Sequence, residues 1–248
     1  MTELTLTGKT KPYVMAHRGN RVLCPENTLA AFNQAFTDGA DILETDLHLS
    51  ADGVFMCIHD ATVDRTTNGK GVVSSMTLAE LKQLSASYGF QGFAEERIPT
   101  LAETAAILPA DAALALELKT DRFLEPEVCA CFIHELKEAG IFERSLVLSF
   151  SLQRLQAVKA VEPSIPIGWI TMFKLSPNPE PEVLGPFWPG VFLNPFFVRR
   201  AQRRGQIVCP LDPTPDKRLW YYKWLRCDAV VSDNPAATLA VLKRISFK

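Results

Sequence analysis

Short apolar runs alternate with helix-forming segments along most of this chain of 248 residues. The alternation favours β–α units around a parallel sheet, because parallel strands need a crossover, usually a helix, between them. Eight such units in about 250 residues are typical of a (β/α)8 barrel. The candidate strands are Tyr13–Ala16, Ile42–Leu49, Ala113–Leu118, Leu146–Phe150, Ile167–Thr171, Val191–Leu193, Ile207–Leu211 and Ala229–Ser232. We therefore predict an α/β fold, a single (β/α)8 TIM-barrel domain over residues 1–248.

Predicted helices follow the strands, with two interruptions. The helices are Thr28–Thr37, Leu101–Leu108, Glu127–Glu138, Leu152–Val161, Val198–Arg204, Asp216–Leu225 and Ala236–Arg244. Asn27 is a favourable N-cap for the first of them. Residues 52–99 are too long for one connection and predict a small insertion at the barrel rim. Five prolines between residues 176 and 190 exclude a full helix, so we expect a rim loop in place of the sixth helix.

Composition limits the classes of partner. Apolar residues make up 47% of the chain and charged residues 22%, as in ordinary globular proteins with a sizeable core. The net charge of −2 indicates neither a nucleic-acid partner nor a broad basic membrane surface. The start of the chain lacks the apolar run of a signal peptide, and no stretch is long enough to form a membrane span. Six cysteines without a CxxC pair suggest buried thiols in a reducing compartment, so we expect a cytoplasmic protein; a processed precursor whose leader has been removed is the alternative.

Glu44 and Asp46 lie in the second predicted strand. Alternate side chains of a strand share a face, so both carboxylates point one way while Leu43 and Leu47 point the other. The apolar face belongs under the helices, which aims the two acids into the barrel. Buried carboxylates repel each other and lose hydration unless a cation lies between them. A solvated edge strand with incidental acids is the alternative, but the flanking residues are too apolar to favour it.

His59 is brought towards this pair by a predicted hairpin. Ala51-Asp52-Gly53-Val54 is typical of a two-residue Asp-Gly turn. In that register His59 lies directly opposite Asp46, on the same face of the ladder. A three-residue loop would shift the register by one residue and remove this inference. A histidine with a purely structural role is the alternative.

Two further strands end in polar residues that suit a phosphate site. Glu117 and Lys119 share a strand face, which supplies a third inward carboxylate beside a cation; a buried salt bridge is the alternative. His17, Arg18 and Gly19 follow the first strand at a rim where catalytic residues of such barrels gather. The guanidinium of Arg18 offers a fork suited to phosphate oxygens. A structural role for His17 is equally compatible with this tripeptide alone.

Other conspicuous residues favour ordinary structural roles. His48 and His134 are interpreted as core or surface histidines. The arginines between residues 199 and 204 are typical of a solvated helix face. The aromatic run at 220–224 predicts a helix packed on the barrel, with an oligomer interface or a lipid-facing patch as the alternative.

Taken in order, these motifs resemble the glycerophosphodiester phosphodiesterase family over residues 13–243. They are His17-Arg18-Gly19, Pro25-Glu26-Asn27-Thr28, Glu44-x-Asp46, Asp52-Gly53, His59-Asp60, Asp64-Arg65-Thr66-Thr67-Asn68-Gly69-Lys70-Gly71, Glu117-Leu118-Lys119, Ser149-Phe150 and Asp228 with Ser232-Asp233-Asn234-Pro235. That family has a (β/α)8 barrel with a small insertion after the second catalytic histidine. The 52–99 stretch matches this feature.

The resemblance implies a role for seven side chains. Glu44, Asp46 and Glu117 would bind a divalent cation, His17 and His59 would form the acid/base pair, and Arg18 and Lys119 would hold the phosphate. An all-carboxylate set of protein ligands favours Mg²⁺ or Ca²⁺. The implied reaction converts diesters such as glycerophosphocholine or glycerophosphoethanolamine into an alcohol and glycerol 3-phosphate. The expected partner is this small molecule, with no nucleic acid, no integral membrane segment and an open possibility of a homo-oligomer.

One departure from the family concerns the seventh strand. The family usually has a Trp-Thr-(Val)-Asn-like run there, whereas this chain has Cys209-Pro210-Leu211-Asp212. The missing indole would reshape the wall that receives the glycerol or its leaving group. Two rival functions stay open: a phospholipase D-like enzyme acting on lysophospholipids, and a non-catalytic phosphodiester-binding barrel.

Overall fold

Eight parallel strands curve into a nearly closed barrel in the computed structural model, which describes residues 5–174 and 176–246. The strands are β1 Tyr13–His17, β2 Ile42–Leu49, β3 Phe55–Cys57, β4 Ala113–Leu118, β5 Ser145–Ser149, β6 Ile167–Thr171, β7 Val183–Pro186, β8 Ile207–Val208 and β9 Ala229–Ser232. Their order is β8-β7-β6-β5-β4-β2-β1-β9, and β3 pairs antiparallel with β2 outside this path. The path closes where Asp228 N donates to Val208 O at 3.0 Å. The predicted α/β barrel is confirmed.

All but the second of the helices in the described residues lie on the outer side of this barrel, and the second belongs to the connection after β3. The helices are α1 Leu29–Thr37, α2 Leu78–Leu81, α3 Leu101–Ala106, α4 Pro126–Glu138, α5 Leu152–Val161, α6 Trp188–Leu193, α7 Phe196–Gln202, α8 Leu219–Trp224 and α9 Pro235–Ser246. Thr100 begins α3 with a capping box, since it accepts from Glu103 N while the Glu103 carboxylate accepts from Thr100 N. None of the helices in the described residues is both long and apolar enough to cross a bilayer.

Strand periodicity divides the core into an inner and an outer layer. Leu43 and Leu47 of β2 pack outwards with Phe32 and other buried helix residues. Met15 and Ile42 instead belong to the cluster inside the barrel. Because side chains alternate along a strand, the inner parity of β1, β2 and β4 continues to their carboxyl ends, where the polar residues lie.

The sixth strand was predicted in the wrong place. Val191–Leu193 belongs to α6, and the strand is Val183–Pro186, inside the segment that we expected to be a rim loop. Proline is tolerated at the end of a strand, whereas Pro189 in the first turn of α6 favours a helix start. The expected loss of the helix between β6 and β7 is seen in the described residues 172–174 and 176–182.

The predicted hairpin register is also wrong by one residue. Leu47 pairs with Cys57 and Leu49 with Phe55, because the turn has three residues between Ser50 and Val54. The long connection does form the predicted insertion. It consists of β3, α2 and irregular segments around a small apolar core that includes Met56 and Leu81.

Candidate active site

Three carboxylates meet inside the carboxyl end of the barrel. Glu44, Asp46 and Glu117 are buried, and one oxygen from each lies within 4.8 Å of the others. The register explains this, because β2 and β4 are parallel neighbours and Asp46 pairs with Glu117 across them. The strand parity of the sequence therefore predicted both the inward direction and the meeting of the three acids.

Three buried negative charges at this spacing are unfavourable without a cation. Burial, followed by the charges of Asp46 and Glu117, raises the pKa of Glu44 well above its ordinary value. Burial, followed by the charge of Asp46, raises the pKa of Glu117. Burial acts in the same direction on Asp46, but Arg18 and Lys119 outweigh it and lower the pKa of that carboxyl group. A divalent cation would relieve the repulsion among the three carboxylates, which protonation of Glu44 or Glu117 relieves when no cation is bound.

The donor set fits a hard divalent cation. Asp46 Oδ1 is buried and receives no hydrogen bond from any residue that the structure describes, although Lys119 Nζ lies 3.7 Å away. Leaving such an oxygen unsatisfied is costly. The other oxygen of Asp46 accepts from Asn27 Nδ2 at 2.9 Å. Because the cluster offers only carboxylate oxygens, it suits Mg²⁺ or Ca²⁺.

Arg18 leaves β1 through an unusual backbone turn. Its φ is +57°, and its backbone N–H donates to Glu44 Oε2 at 3.0 Å. Gly19 follows at φ +81°, where an added Cβ would lie 2.6 Å from the Ala31 carbonyl. Only glycine fits this approach. The turn places the Arg18 guanidinium against Asp46, with Nε 3.1 Å from Oδ2.

His59 reaches the acids by a different route from the one predicted. The ladder ends at Cys57, and the N–H of Ile58 donates to Asp46 O at 3.0 Å. His59, which follows Ile58, turns back over the rim of the barrel, and its Nε2 lies 3.2 Å from Lys119 Nζ. Lys119 also donates to Glu117 Oε1 at 3.0 Å. Despite the register error, the imidazole and the carboxylates do come together.

Each of the two site imidazoles has a carboxylate at its Nδ1 atom. His59 Nδ1 lies 2.7 Å from Asp60 Oδ1, and His17 Nδ1 lies 2.7 Å from Asp233 Oδ1. Such a pairing fixes the ring orientation and leaves Nε2 for the substrate side. Burial, opposed by Asp46 and Asp60, lowers the pKa of His59.

A buried glutamate connects the carboxylates that hold the two imidazoles. Arg65 Nη2 donates to Glu26 Oε1 at 2.8 Å, and Arg65 Nε donates to Asp60 Oδ2 at 2.7 Å. On the other side Arg21 Nη2 lies 2.8 Å from Glu26 Oε2, and Arg21 Nε lies 4.0 Å from Asp233 Oδ1. A chain of alternating charges thus connects Asp60 and Asp233, the carboxylates beside the two histidines, through Glu26.

Glu26 has a third arginine partner, because Arg18 Nη1 donates to Glu26 Oε1 at 2.9 Å. Burial opposes ionisation, but the hydrogen bond from Arg65 and the charges of Arg18 and Arg21 lower the pKa of Glu26 to about 2. Glu26 is therefore a carboxylate at neutral pH. It offsets the excess positive charge beside the acidic cluster.

Glu26, Asn27, Asp60 and Asp233 belong to motifs of the sequence, but no role in the site was predicted for them. Asn27 is not the N-cap of α1, because Thr28 Oγ1 accepts from Ala31 N. Asn27 has φ +52° and directs its amide to Asp46 instead. An Asn directly before a threonine that can cap the helix equally well is the one local signal that could have shown this.

The wall opposite the acids is apolar. A small cavity of about 50 Å³ extends from His17, Glu44 and Glu117 to residues of the later strands. Those residues are Leu148, Ile170, Val183, Gly185, Cys209, Leu211 and Val231, together with Met15 of β1. A larger cavity of about 580 Å³ lies at the amino end of the barrel, away from the seven predicted site residues.

The residues that were interpreted as structural mostly have structural contacts. His48 is buried with Nε2 3.2 Å from His59 O, and His134 is exposed. Tyr221 and Tyr222 are buried, whereas Trp220 and Trp224 are largely exposed. The predicted burial of the cysteines is confirmed for five of them and is wrong for Cys131, which is exposed.

These features define a class of protein: a (β/α)8-barrel hydrolase with an acidic cluster that could bind a cation, and with two imidazoles and two basic side chains at the same rim. The model of the glycerophosphoryl diester phosphodiesterase family matches residues 17–237. The chain belongs to this family, whose members are phosphoric diester hydrolases, and the expected enzyme class is confirmed.

Individual relatives agree with this assignment. A glycerophosphodiester phosphodiesterase of Caldanaerobacter subterraneus subsp. tengcongensis is 34% identical over 244 residues, which cover 94% of this chain and 99% of that one. A phosphodiesterase of Oleispira antarctica, solved with its product sn-glycerol-3-phosphate, has a TM-score of 0.80 and 30% identity over 94% of this chain and 97% of its own. A glycerophosphodiester phosphodiesterase structure from Agrobacterium tumefaciens has a TM-score of 0.81 and 25% identity, covering 92% and 99%.

Proposed function

We propose that this enzyme hydrolyses glycerophosphodiesters such as glycerophosphocholine and glycerophosphoethanolamine to an alcohol and glycerol 3-phosphate. The observation that carries the proposal is the convergence of three carboxylates with His59 and Lys119, all connected by contacts of 4.8 Å or less. The product complex of the Oleispira antarctica relative supports the same class of substrate.

In this proposal, Glu44, Asp46 and Glu117 would hold a Mg²⁺ or Ca²⁺ ion. When bound, the cation would polarise the phosphoryl group and stabilise its developing charge. Arg18 and Lys119 border the acids and would bind the remaining phosphate oxygens. Because their charges partly offset the acidic cluster, an anionic diester can enter the site.

His17 and His59 would divide the proton transfers. One Nε2 accepts the proton of the attacking hydroxyl group, and the other donates a proton to the leaving alcohol as its P–O bond breaks. Asp233 and Asp60 would keep Nδ1 protonated, so that both Nε2 atoms stay available. Glu26 would act as a positioning residue, because Arg65 and Arg21 connect it to both of these carboxylates.

The attacking hydroxyl group belongs either to water or to the 2-hydroxyl of the substrate glycerol. The second route forms a cyclic phosphate first and requires that hydroxyl. A substrate with hydrogen in place of the 2-hydroxyl separates the two routes. Undiminished turnover of the deoxy analogue excludes the cyclic route.

A panel of glycerophosphodiesters assayed with Mg²⁺, with Ca²⁺ and with chelator tests the proposal. We expect release of glycerol 3-phosphate that depends on the added cation. Full activity in the presence of chelator would contradict the proposed cation site, and absence of glycerol 3-phosphate among the products would contradict the proposed reaction.

A phospholipase D-like activity on lysophospholipids is a second candidate, because apolar side chains are exposed near the catalytic rim. Phe150 and Phe173 follow β5 and β6, and Phe173 is 87% exposed. Lys119 Nζ lies 6.0 Å from the centre of the Phe150 ring, which places that ring beside the acids. Parallel assays of a soluble diester and a lysophospholipid decide between the two substrates.

A further inference from the structure

Helices α6, α7 and α8 present an exposed apolar surface that the proposed reaction does not use. Its most exposed members are Leu193 at 81%, Phe196 at 67%, Trp220 at 60% and Trp224 at 59%. Single exposed apolar residues are normal, but a contiguous group of this size marks an interaction site. We define these four residues with Phe192 as the aromatic face.

Ring contacts connect three members of the aromatic face, Phe192, Trp220 and Trp224, through Tyr221. Tyr221 is buried beneath this face and stacks on Phe192 with centroids 4.1 Å apart. Trp224 and Trp220 contact the same tyrosine at 5.7 and 5.5 Å. Trp188 extends the group towards β7, with its ring 6.0 Å from Phe192. Since α6 begins two residues after β7, the aromatic face starts at the catalytic rim of the barrel.

The surroundings of the aromatic face are basic. Residues 188–224 hold seven Lys and Arg residues and two acids, a formal charge of +5 in a chain whose total is −2. Of the two acids, Asp212 is buried and ion-paired with Arg218, and Asp216 accepts a hydrogen bond from Thr238. On α7, exposed Arg199 and Arg200 follow Phe196 by one helical turn.

We propose that this surface docks the enzyme on anionic phospholipid bilayers. Exposed tryptophans beside cations suit the bilayer interface, where rings enter the headgroup region and basic side chains meet lipid phosphates. Arg199 already lies over the Trp224 ring at 5.7 Å. A symmetric pairing with a second copy is disfavoured, because it would bring two positively charged surfaces together.

Vesicle flotation tests the proposal on the whole enzyme. We expect binding to mixed phosphatidylcholine–phosphatidylglycerol vesicles, weaker binding to pure phosphatidylcholine, and loss of the difference at high salt. Arg199→Gln with Arg200→Gln should lower the affinity about 25-fold, since each basic side chain contributes roughly fivefold. Trp220→Ser with Trp224→Ser should reduce binding further.

Matched controls separate docking from misfolding. Val161→Ser removes an exposed apolar side chain on α5, and Lys70→Gln removes an exposed charge in the rim insertion. Both should bind like the unmodified enzyme. All variants should keep their melting temperature and their turnover of a soluble diester.

Four results would overturn the proposal. They are equal binding to neutral and anionic vesicles, unchanged binding of the tryptophan and arginine variants, equally tight binding of a thymidine oligonucleotide, and a dimer in sedimentation velocity that Trp220→Ser with Trp224→Ser converts to monomer. The last result would assign the surface to a contact between copies of the chain.

Discussion

The wall of the barrel built from β1, β2 and β4 differs from the wall built from β6, β7 and β8. The first wall carries His17, Glu44 and Glu117 at its carboxyl end, joined to further charged groups. The second lines the same cavity with residues such as Ile170 and Gly185. The fold is shared, but every ionisable group that we place in the chemistry belongs to the first wall, to the connections that extend it, or to Asp233 after β9.

This difference separates two tasks. The charged wall can fix a cation, a phosphate and two imidazoles, because its side chains hold one another through ion pairs. The apolar wall can only limit the size and shape of the organic part of the substrate. We therefore expect changes on the first wall to alter catalysis itself, and changes on the second to alter substrate preference.

The largest effect should follow from neutralising the acids. Glu44→Gln with Asp46→Asn should abolish divalent-cation binding in calorimetry, and hydrolysis should fall to background, because two of the three ligands lose their charge. Asp41→Asn is the control: this carboxylate is also buried, but it lies at the amino end and accepts from Val14 N at 2.9 Å. Retained cation affinity in the double variant would contradict the comparison.

The imidazoles come next. His17→Ala or His59→Ala should lower kcat by roughly 10²–10⁴ through loss of acid–base catalysis, with cation binding largely kept. His134→Ala, at an exposed position, should change nothing. The unmodified enzyme should show a bell-shaped pH profile. A flat profile from about pH 5 to 9, with chemistry rate-limiting, would count against two catalytic histidines.

Glu26→Gln tests whether the charged wall works as a unit. We expect kcat to fall about tenfold and the pH dependence of kcat to shift. The reason is that Arg65 and Arg21 lose the charge that holds them beside Asp60 and Asp233. Asp228→Asn removes an ion-paired carboxylate at the amino end, bonded to Lys11 at 2.8 Å, and should leave the pH profile unchanged. If both variants shift the profile equally, Glu26 has no specific positioning role.

The same residue predicts a pH dependence of stability. Hydrogen bonds and ion pairs with arginines lower the pKa of Glu26 to about 2. Its contribution to the free energy of unfolding is therefore complete above the ordinary Glu pKa, and it is lost as the pH falls from there towards about 2. A shift of this size corresponds to about 3 kcal/mol. Urea unfolding of the unmodified enzyme and of Glu26→Gln should therefore differ most near pH 6 and converge towards pH 3. A difference that grows with acidification would contradict this sign.

The smallest effect belongs to the apolar wall. A Cβ added at Gly185 would lie 3.5 Å from Ile170, so Gly185→Ala should fit and narrow the cavity slightly. We expect KM for the larger head groups to rise roughly fivefold, about 1 kcal/mol, with kcat unchanged. Gly190→Ala on α6 has open space around the added Cβ and serves as control. A loss of kcat at Gly185→Ala would erase the distinction between the two walls.

The sequence was sufficient to predict the three carboxylates of the charged wall, because strand parity is a strong local rule. One inward carboxylate at Glu44 implies another at Asp46, and a parallel neighbour with the same pattern brings Glu117 beside them. The register of β3 could not be predicted from the sequence, since it depends on whether Asp52-Gly53 belongs to a two-residue or a three-residue loop. His59 arrives all the same, because the chain bends over the rim after Cys57.

The second wall was harder to predict. Val183–Pro186 is a short run that ends in proline, whereas Val191–Leu193 is more apolar and therefore favours a strand by composition. Pro189 in the first turn of α6 places Val191–Leu193 in a helix instead. The Glu26 connections span distant segments, so no local pattern encodes them. The net charge of −2 likewise concealed the basic stretch around α7, because acidic residues elsewhere cancel it.

A crystal grown with Mn²⁺ and sn-glycerol-3-phosphate would test the central claim most directly. The account predicts one anomalous peak within coordination distance of Glu44, Asp46 and Glu117, with the phosphate bound between that ion and the Nε2 atoms of His17 and His59. An ion bound elsewhere, or a phosphate out of reach of both imidazoles, would contradict it.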